Sequence, residues 1–307
     1  MPSTNPTPCA FGCLQYHSGT GGLVLVDTGN FPTYQQLTLN TWVWNGTTWT
    51  LTVAGLSSNP TPRVNAGLAS DGTHLVLFGG KGAPETGYMN DTWLWNSGAW
   101  TNPIANDGYN NGLNVREKMY MAPMTSPAAG VVLFGGSDSW FRWQDTWTWT
   151  SGSGAWTLQS PATSPNVRNG GAFASNGTNN AILFGGANDS YMLNDTWSWN
   201  GTTWAKLATN TGPSVRKDAV MAWYPTGSYF LLFGGTDTAG NLLLDTWKFD
   251  GASTWTQLSP GTTPSGRVGA MMTYDTSSSQ MIMFGGKNQK NLLNDTWQWN
   301  GTTWIQL

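Results

Sequence analysis

The chain has 307 residues, a net charge of −3 and only 9% charged residues, against roughly 25% in an average soluble protein. With no Lys/Arg-rich run and no apolar run long enough to cross a bilayer, neither a nucleic-acid partner nor membrane insertion is expected. Polarity comes instead from Thr, Asn, Ser and 39 glycines, residues of turns and strands rather than of helices.

The opening MPSTNPTPC lacks the basic and apolar regions of a secretory signal; either the protein has none or one was removed ahead of Met1. A first strand is predicted over 9–16. Cys9 and Cys13 lie four residues apart in it, about 13 Å if extended, too far for a disulfide. Strand-length segments then recur in fixed order. A small-residue strand led by arginine (63–70) precedes an apolar run ending in two glycines (75–80). After a variable loop comes an Asp-Thr-Trp strand (90–96), then a fourth strand holding Trp100. Asp-Thr-Trp returns at 91–93, 145–147, 195–197, 245–247 and 295–297, with an altered copy at 40–42. Its tryptophans are spaced 51, 54, 50, 50 and 50 residues apart. No window shows a helical period. A repeat of this length filling the chain defines a repeat architecture, a single domain over 1–307. Its units fall at about 8–54, 60–103, 115–160, 167–208, 215–259 and 266–307.

Within the third strand, Trp93 and Trp95 lie two apart and share one face. Their counterparts are Trp42/Trp44, Trp147/Trp149, Trp197/Trp199, Trp247/Phe249 and Trp297/Trp299. Each unit adds one fourth-strand tryptophan (49, 100, 156, 204, 255, 304), so 17 of the 20 tryptophans occupy repeat positions. A lone four-stranded sheet cannot bury such a face, whereas six sheets packed face to face in a ring can.

This pattern resembles kelch repeats. The resemblance covers residues 8–307, with a degenerate first copy that has Val26-Asp27-Thr28 where the others have Phe-Gly-Gly. It implies an all-β fold, a six-bladed kelch β-propeller with four antiparallel strands per blade. The blades are expected to be contiguous in sequence, with blade 1 closing on blade 6 without strand exchange.

Five of the six arginines share one repeat position: Arg63, Arg116, Arg168, Arg216 and Arg267. Five aspartates share another: Asp91, Asp145, Asp195, Asp245 and Asp295. In kelch domains that recruit acidic peptides, arginines near this position reach the ligand. Here blade 1 lacks both, carrying Cys9 and Asn40. Joint loss points to a structural pair, because a lone buried charge is costly and a bidentate pair is not.

Function is then expected where the repeats differ. The blade 3 loop holds Trp140, Phe141, Arg142 and Trp143. Tyr88 and Tyr191 lie in the loops of blades 2 and 4, Phe31 and Tyr34 in that of blade 1, and Tyr109 in the link from blade 2 to blade 3. Lys118 and Asp218 stand two residues past their arginines, at the channel mouth. Aromatic rings beside polar groups suit a glycan or a protein hot spot. With only His17 and His74, the copper chemistry of kelch oxidases is excluded, and no zinc spacing or iron set is present. No metal or cofactor is expected. The loop carboxylates Asp138, Asp189 and Asp237 suit turns, acid–base work or calcium. The leading expectation is a non-catalytic binding or scaffold module, extracellular or surface-associated, that engages a glycan or protein. A metal-independent carbohydrate-active enzyme using loop carboxylates with Lys118 or Arg116 is the second. An architectural protein within an assembly is the third.

Overall fold

The computed structural model describes residues 6–27, 39–54, 59–82, 86–105, 112–125, 128–152, 154–178 and 180–307. Phe31, Tyr34 and Tyr109 lie outside the described residues. The described residues form six four-stranded antiparallel sheets, each made of four strands consecutive in sequence. Together they form a six-bladed β-propeller. The sheets run from Cys13 to Ala54, Gly67 to Ile104, Tyr120 to Gln159, Ala172 to Lys206, Val220 to Leu258 and Met271 to Gln306. Among the described residues no strand is exchanged between the first and last blades.

The apolar second strand is continuous because both of its faces are buried. In blade 4, Ala181 and Leu183 pack towards blade 3, while Ile182 and Phe184 pack towards blade 5. Alternate side chains of one strand thus serve two neighbours. Six apolar clusters result, each shared by two adjacent blades, including the closing pair of blades 1 and 6. The third- and fourth-strand tryptophans face the preceding blade, as Trp199 and Trp204 do in the cluster with blade 3.

Each member of Asp-Thr-Trp has a separate mechanical role. The aspartate receives its own blade's arginine in a two-pronged pair. Arg168 donates from Nη1 and Nη2 to Asp195 at 2.6 and 2.9 Å, and from Nη1 to the Gly185 carbonyl at 3.1 Å. The same geometry joins Arg116 to Asp145, Arg216 to Asp245 and Arg267 to Asp295, and Arg63 grips Asp91 with both terminal nitrogens. The tryptophan also donates to this aspartate, with Trp197 Nε1 at 2.7 Å from Asp195 Oδ2. In blade 1, where Asn40 replaces the acid, the Trp42 indole nitrogen is buried and finds no acceptor among the described residues.

The threonine points the other way and holds the next blade. Trp100 donates to Thr41, Trp156 to Thr92, Trp204 to Thr146, Trp255 to Thr196 and Trp304 to Thr246, at 2.9–3.1 Å. Trp49 closes the circle on Thr296 at 3.4 Å. Six buried side-chain hydrogen bonds therefore run once around the ring, each worth about 1 kcal/mol net. The double glycine completes the seam between blades. Gly185, at φ +66°, faces the Arg216 carbonyl, which a Cβ would meet at 2.8 Å. Cys9 takes the arginine's backbone place at the closing seam, accepting from Gly286 N at 2.8 Å.

Two expectations need correction. The first strands do not begin at the arginines; they begin four residues later, at Gly67 after Arg63 and at Tyr120 after Arg116. A positive-φ residue between them turns the chain, Asn65 at +56° and Lys118 at +55°. For the same reason Cys9 and Cys13 do not share one extended strand, since Phe11 between them sits at +59°. Both cysteines are buried and free.

The pairs carry a pH dependence. Burial opposes ionisation of Asp195, Asp245 and Asp295. The guanidinium of Arg168, Arg216 or Arg267 and the indole N–H outweigh it, holding each carboxyl below the ordinary range. A depressed folded-state pKa stabilises above the unfolded value, about 3.9, and that stability is lost as pH falls through the folded value. The urea midpoint is therefore expected to be flat from pH 7 to about 5 and to fall steeply below about 4.

Candidate functional site

In blades 3, 4 and 6 the loops between second and third strands share one hydrogen-bonded turn. In blade 3, Asp138 Oδ1 accepts the backbone N–H groups of Trp140 and Phe141, both at 2.7 Å, and Asp138 N donates to the Phe141 carbonyl at 3.0 Å. Asn188 does the same for Ser190 and Tyr191 in blade 4, and Asn288 for Lys290 and Asn291 in blade 6. Asp237 organises the blade 5 loop through Ala239 and Asn241. Asp138 and Asp237 are thus turn-forming carboxylates. Short side chains of Asp and Asn favour this arrangement because they accept from the backbone two or three residues on.

Phe141 and Tyr191 occupy the same turn position in adjacent blades, and the equivalent in blade 6 is Asn291. Trp140 is 87% exposed, Phe141 63% and Tyr191 57%. Arg142 crosses to the neighbouring loop, its Nε donating to Asp189 Oδ1. An exposed pair of this kind adds little stability, but it ties the two aromatic loops together. Rigid loops on a rigid scaffold are where binding residues belong.

Trp143 stands apart from this group. It fills the place that Leu193, Leu243 and Leu293 fill in the following blades. Its backbone N donates to the Gly136 carbonyl, as Leu243 donates to Gly235 and Leu293 to Gly286. Its ring lies 5.0 Å from the Arg116 guanidinium carbon, so it caps the Arg116–Asp145 pair and touches Phe141 at 5.8 Å between centroids. Tyr88 opens the third strand of blade 2, half-buried, with Lys81 Nζ 5.0 Å over its ring.

A second constellation surrounds the channel mouth on the same side of the propeller. Phe11, Asn65, Lys118, Gly170, Asp218 and Gly269 hold equivalent positions, and all six have φ between +55° and +67°. Backbone hydrogen bonds join five of the six neighbouring pairs, all but Lys118 and Gly170. Asn65 donates to Phe11, Lys118 to Asn65, Asp218 to Gly170, Gly269 to Asp218 and Phe11 to Gly269, at 2.5–3.1 Å. Glycine adopts this conformation freely, whereas other residues pay roughly 1–2 kcal/mol, with Asn and Asp towards the low end. A cavity of about 200 Å³ is lined by these six residues together with Gly12, Ala66, Met119, Tyr120, Gly171, Ala219 and Ala270. Lys118 Nζ sits 5.6 Å from the Phe11 ring centroid. Burial pushes the Asp218 carboxyl above its ordinary pKa, against the opposing charges of Lys118 and Lys217.

Beyond the ring, a chamber of about 680 Å³ is lined by the first strands. Its walls carry Met119, Met121, Met271, Phe173 and Trp223, and Tyr120 borders both spaces. Burial raises the Tyr120 hydroxyl's pKa, and its oxygen accepts the Gly171 N–H at 2.9 Å. Trp223 is the third tryptophan off the repeat positions. Among the described residues, no group of three or more His, Cys, Asp or Glu side chains is arranged to hold a metal ion.

The fold and these surfaces define a six-bladed β-propeller with two separate collections of residues that depart from its repeat. No protein-family model matches the chain, and no curated protein matches it.

Proposed function

We propose that this chain is a kelch-type propeller that works as a non-catalytic carbohydrate-binding module outside a cell or on a particle surface. The observation that carries the reading is the pair of bound-together loops in blades 3 and 4, with Trp140, Phe141 and Tyr191 held largely in solvent. Planar rings offer apolar faces to the C–H faces of sugars. Arg142, Asp189, Asn188 and Ser139 supply nearby polar groups for hydroxyls. The patch is broken by polar residues, which favours a sugar chain over a large protein interface, whose core is depleted of charge. Loop carboxylates proposed for acid–base work are otherwise engaged: Asp138 and Asp237 in turns and Asp189 with Arg142. The low charge and the Asn/Thr-rich surface support an external location.

A glycan array probed with the wild type and with Trp140→Ala/Tyr191→Ala tests this directly. The wild type is expected to retain a defined set of glycans, and the double variant to lose them by roughly tenfold or more, as for removal of stacked aromatic anchors. Unchanged binding in the double variant would remove the site. No glycan retained by the wild type would shift the reading to a protein ligand or to an architectural role.

A further inference from the structure

We propose that the channel mouth is a separate binding site for a small zwitterion, a molecule carrying an ammonium and a carboxylate within the dimensions of one amino acid.

Four blades place a side chain where the ring is satisfied by glycine. Gly170 and Gly269 occupy it in blades 4 and 6, and the five hydrogen bonds along the ring are all backbone to backbone. Phe11, Asn65, Lys118 and Asp218 therefore add strain without being needed for closure. Strain retained at one position of a repeated scaffold points to use of the side chains.

Those side chains are chemically complementary to a zwitterion. Lys118 offers an ammonium beside an aromatic face. Asp218 offers a partly buried carboxylate for which no side-chain hydrogen bond or ion pair is formed among the described residues. Asn65 donates to Glu117 Oε2 at 2.6 Å, which leaves its own carbonyl oxygen to accept. Lys118 of blade 3 and Asp218 of blade 5 flank the glycine of blade 4, Gly170, and both line the same cavity. A ligand ammonium on Asp218 and a ligand carboxylate on Lys118 fit between these arms. A cavity of about 200 Å³ holds a molecule of that size. This site uses none of the loop aromatics, so it stands or falls independently of the carbohydrate reading.

The test is isothermal titration with L-alanine and with its two halves, propionate and ethylammonium. Thermal unfolding of Lys118→Gly and Asp218→Gly accompanies it. L-Alanine is expected to bind roughly tenfold or more tightly than either half. Both glycine variants are expected to lose that binding and to unfold at a higher temperature than the wild type, because the strain is released. Trp140→Ala/Tyr191→Ala is expected to keep it. Propionate binding as tightly as L-alanine would make this a simple anion site and overturn the proposal, as would no binding of any probe. Lower unfolding temperatures in the glycine variants would show that Lys118 and Asp218 are structural.

Discussion

Replacing Arg168 with methionine is expected to cost about 3–5 kcal/mol, because Asp195 is left charged without its partner. The guanidinium is fully buried, and it satisfies the Asp195 carboxylate, the Gly185 carbonyl and the Asn166 carbonyl at once. Removing both charges together, as Arg168→Met/Asp195→Leu, is expected to cost much less than the single change, since no stranded charge remains. Blade 1 already shows the outcome of joint loss: Cys9 and Asn40 stand in these places, and the blade keeps its four strands. Urea unfolding of the three proteins measures the difference. A double variant as unstable as Arg168→Met would show that packing of the long side chain, rather than the pairing, carries the energy.

Trp204→Ala is expected to have an effect of similar size, about 3–5 kcal/mol for a buried aromatic lost from a core. Trp204 is 1% exposed. Its ring packs against Phe134 at 5.0 Å and Trp199 at 5.3 Å, and its N–H reaches back to Thr146 at 2.9 Å. Two components are therefore lost together: the volume between blades 3 and 4 and the bond between them. Thr146→Val separates them. It keeps the shape and strands only the indole N–H, at an expected cost of about 1–3 kcal/mol. Chemical denaturation of both variants apportions the loss. A Thr146→Val protein as stable as the wild type would mean that the ring of threonine acceptors is incidental.

Much of this fold is legible in the sequence because it is written six times. The tryptophan spacing identifies the blades, and the joint absence of arginine and aspartate from blade 1 identifies a pair before any distance is known. The threonine is harder to see. In a strand it reads as ordinary β propensity, although it is kept in all six copies, Asn40-Thr41-Trp42 included, where even the aspartate has gone. That persistence is the signal available in the sequence. The misplaced strand starts have a different origin. Lys118 and Asp218 do not look like positive-φ residues, and only alignment with Gly170 and Gly269 exposes the turn. Trp143 is deceptive for a related reason. It looks like a departure from the repeat, but set beside Leu193, Leu243 and Leu293 it is a large residue in a scaffold position. The counterparts of Trp140 are the turn residues Ser190 and Lys290 rather than packed leucines, so it and Tyr191, rather than Trp143, form the exposed surface.

The separation of scaffold from surface is tested most directly by measuring unfolding temperature and glycan binding on the same two proteins, Thr146→Val and Trp140→Ala/Tyr191→Ala. The first is expected to unfold earlier and to bind as the wild type does. The second is expected to lose binding with stability within about 0.5 kcal/mol of the wild type, as for exposed substitutions. The reverse pattern, with the exposed rings supporting stability and the threonine supporting binding, would contradict it.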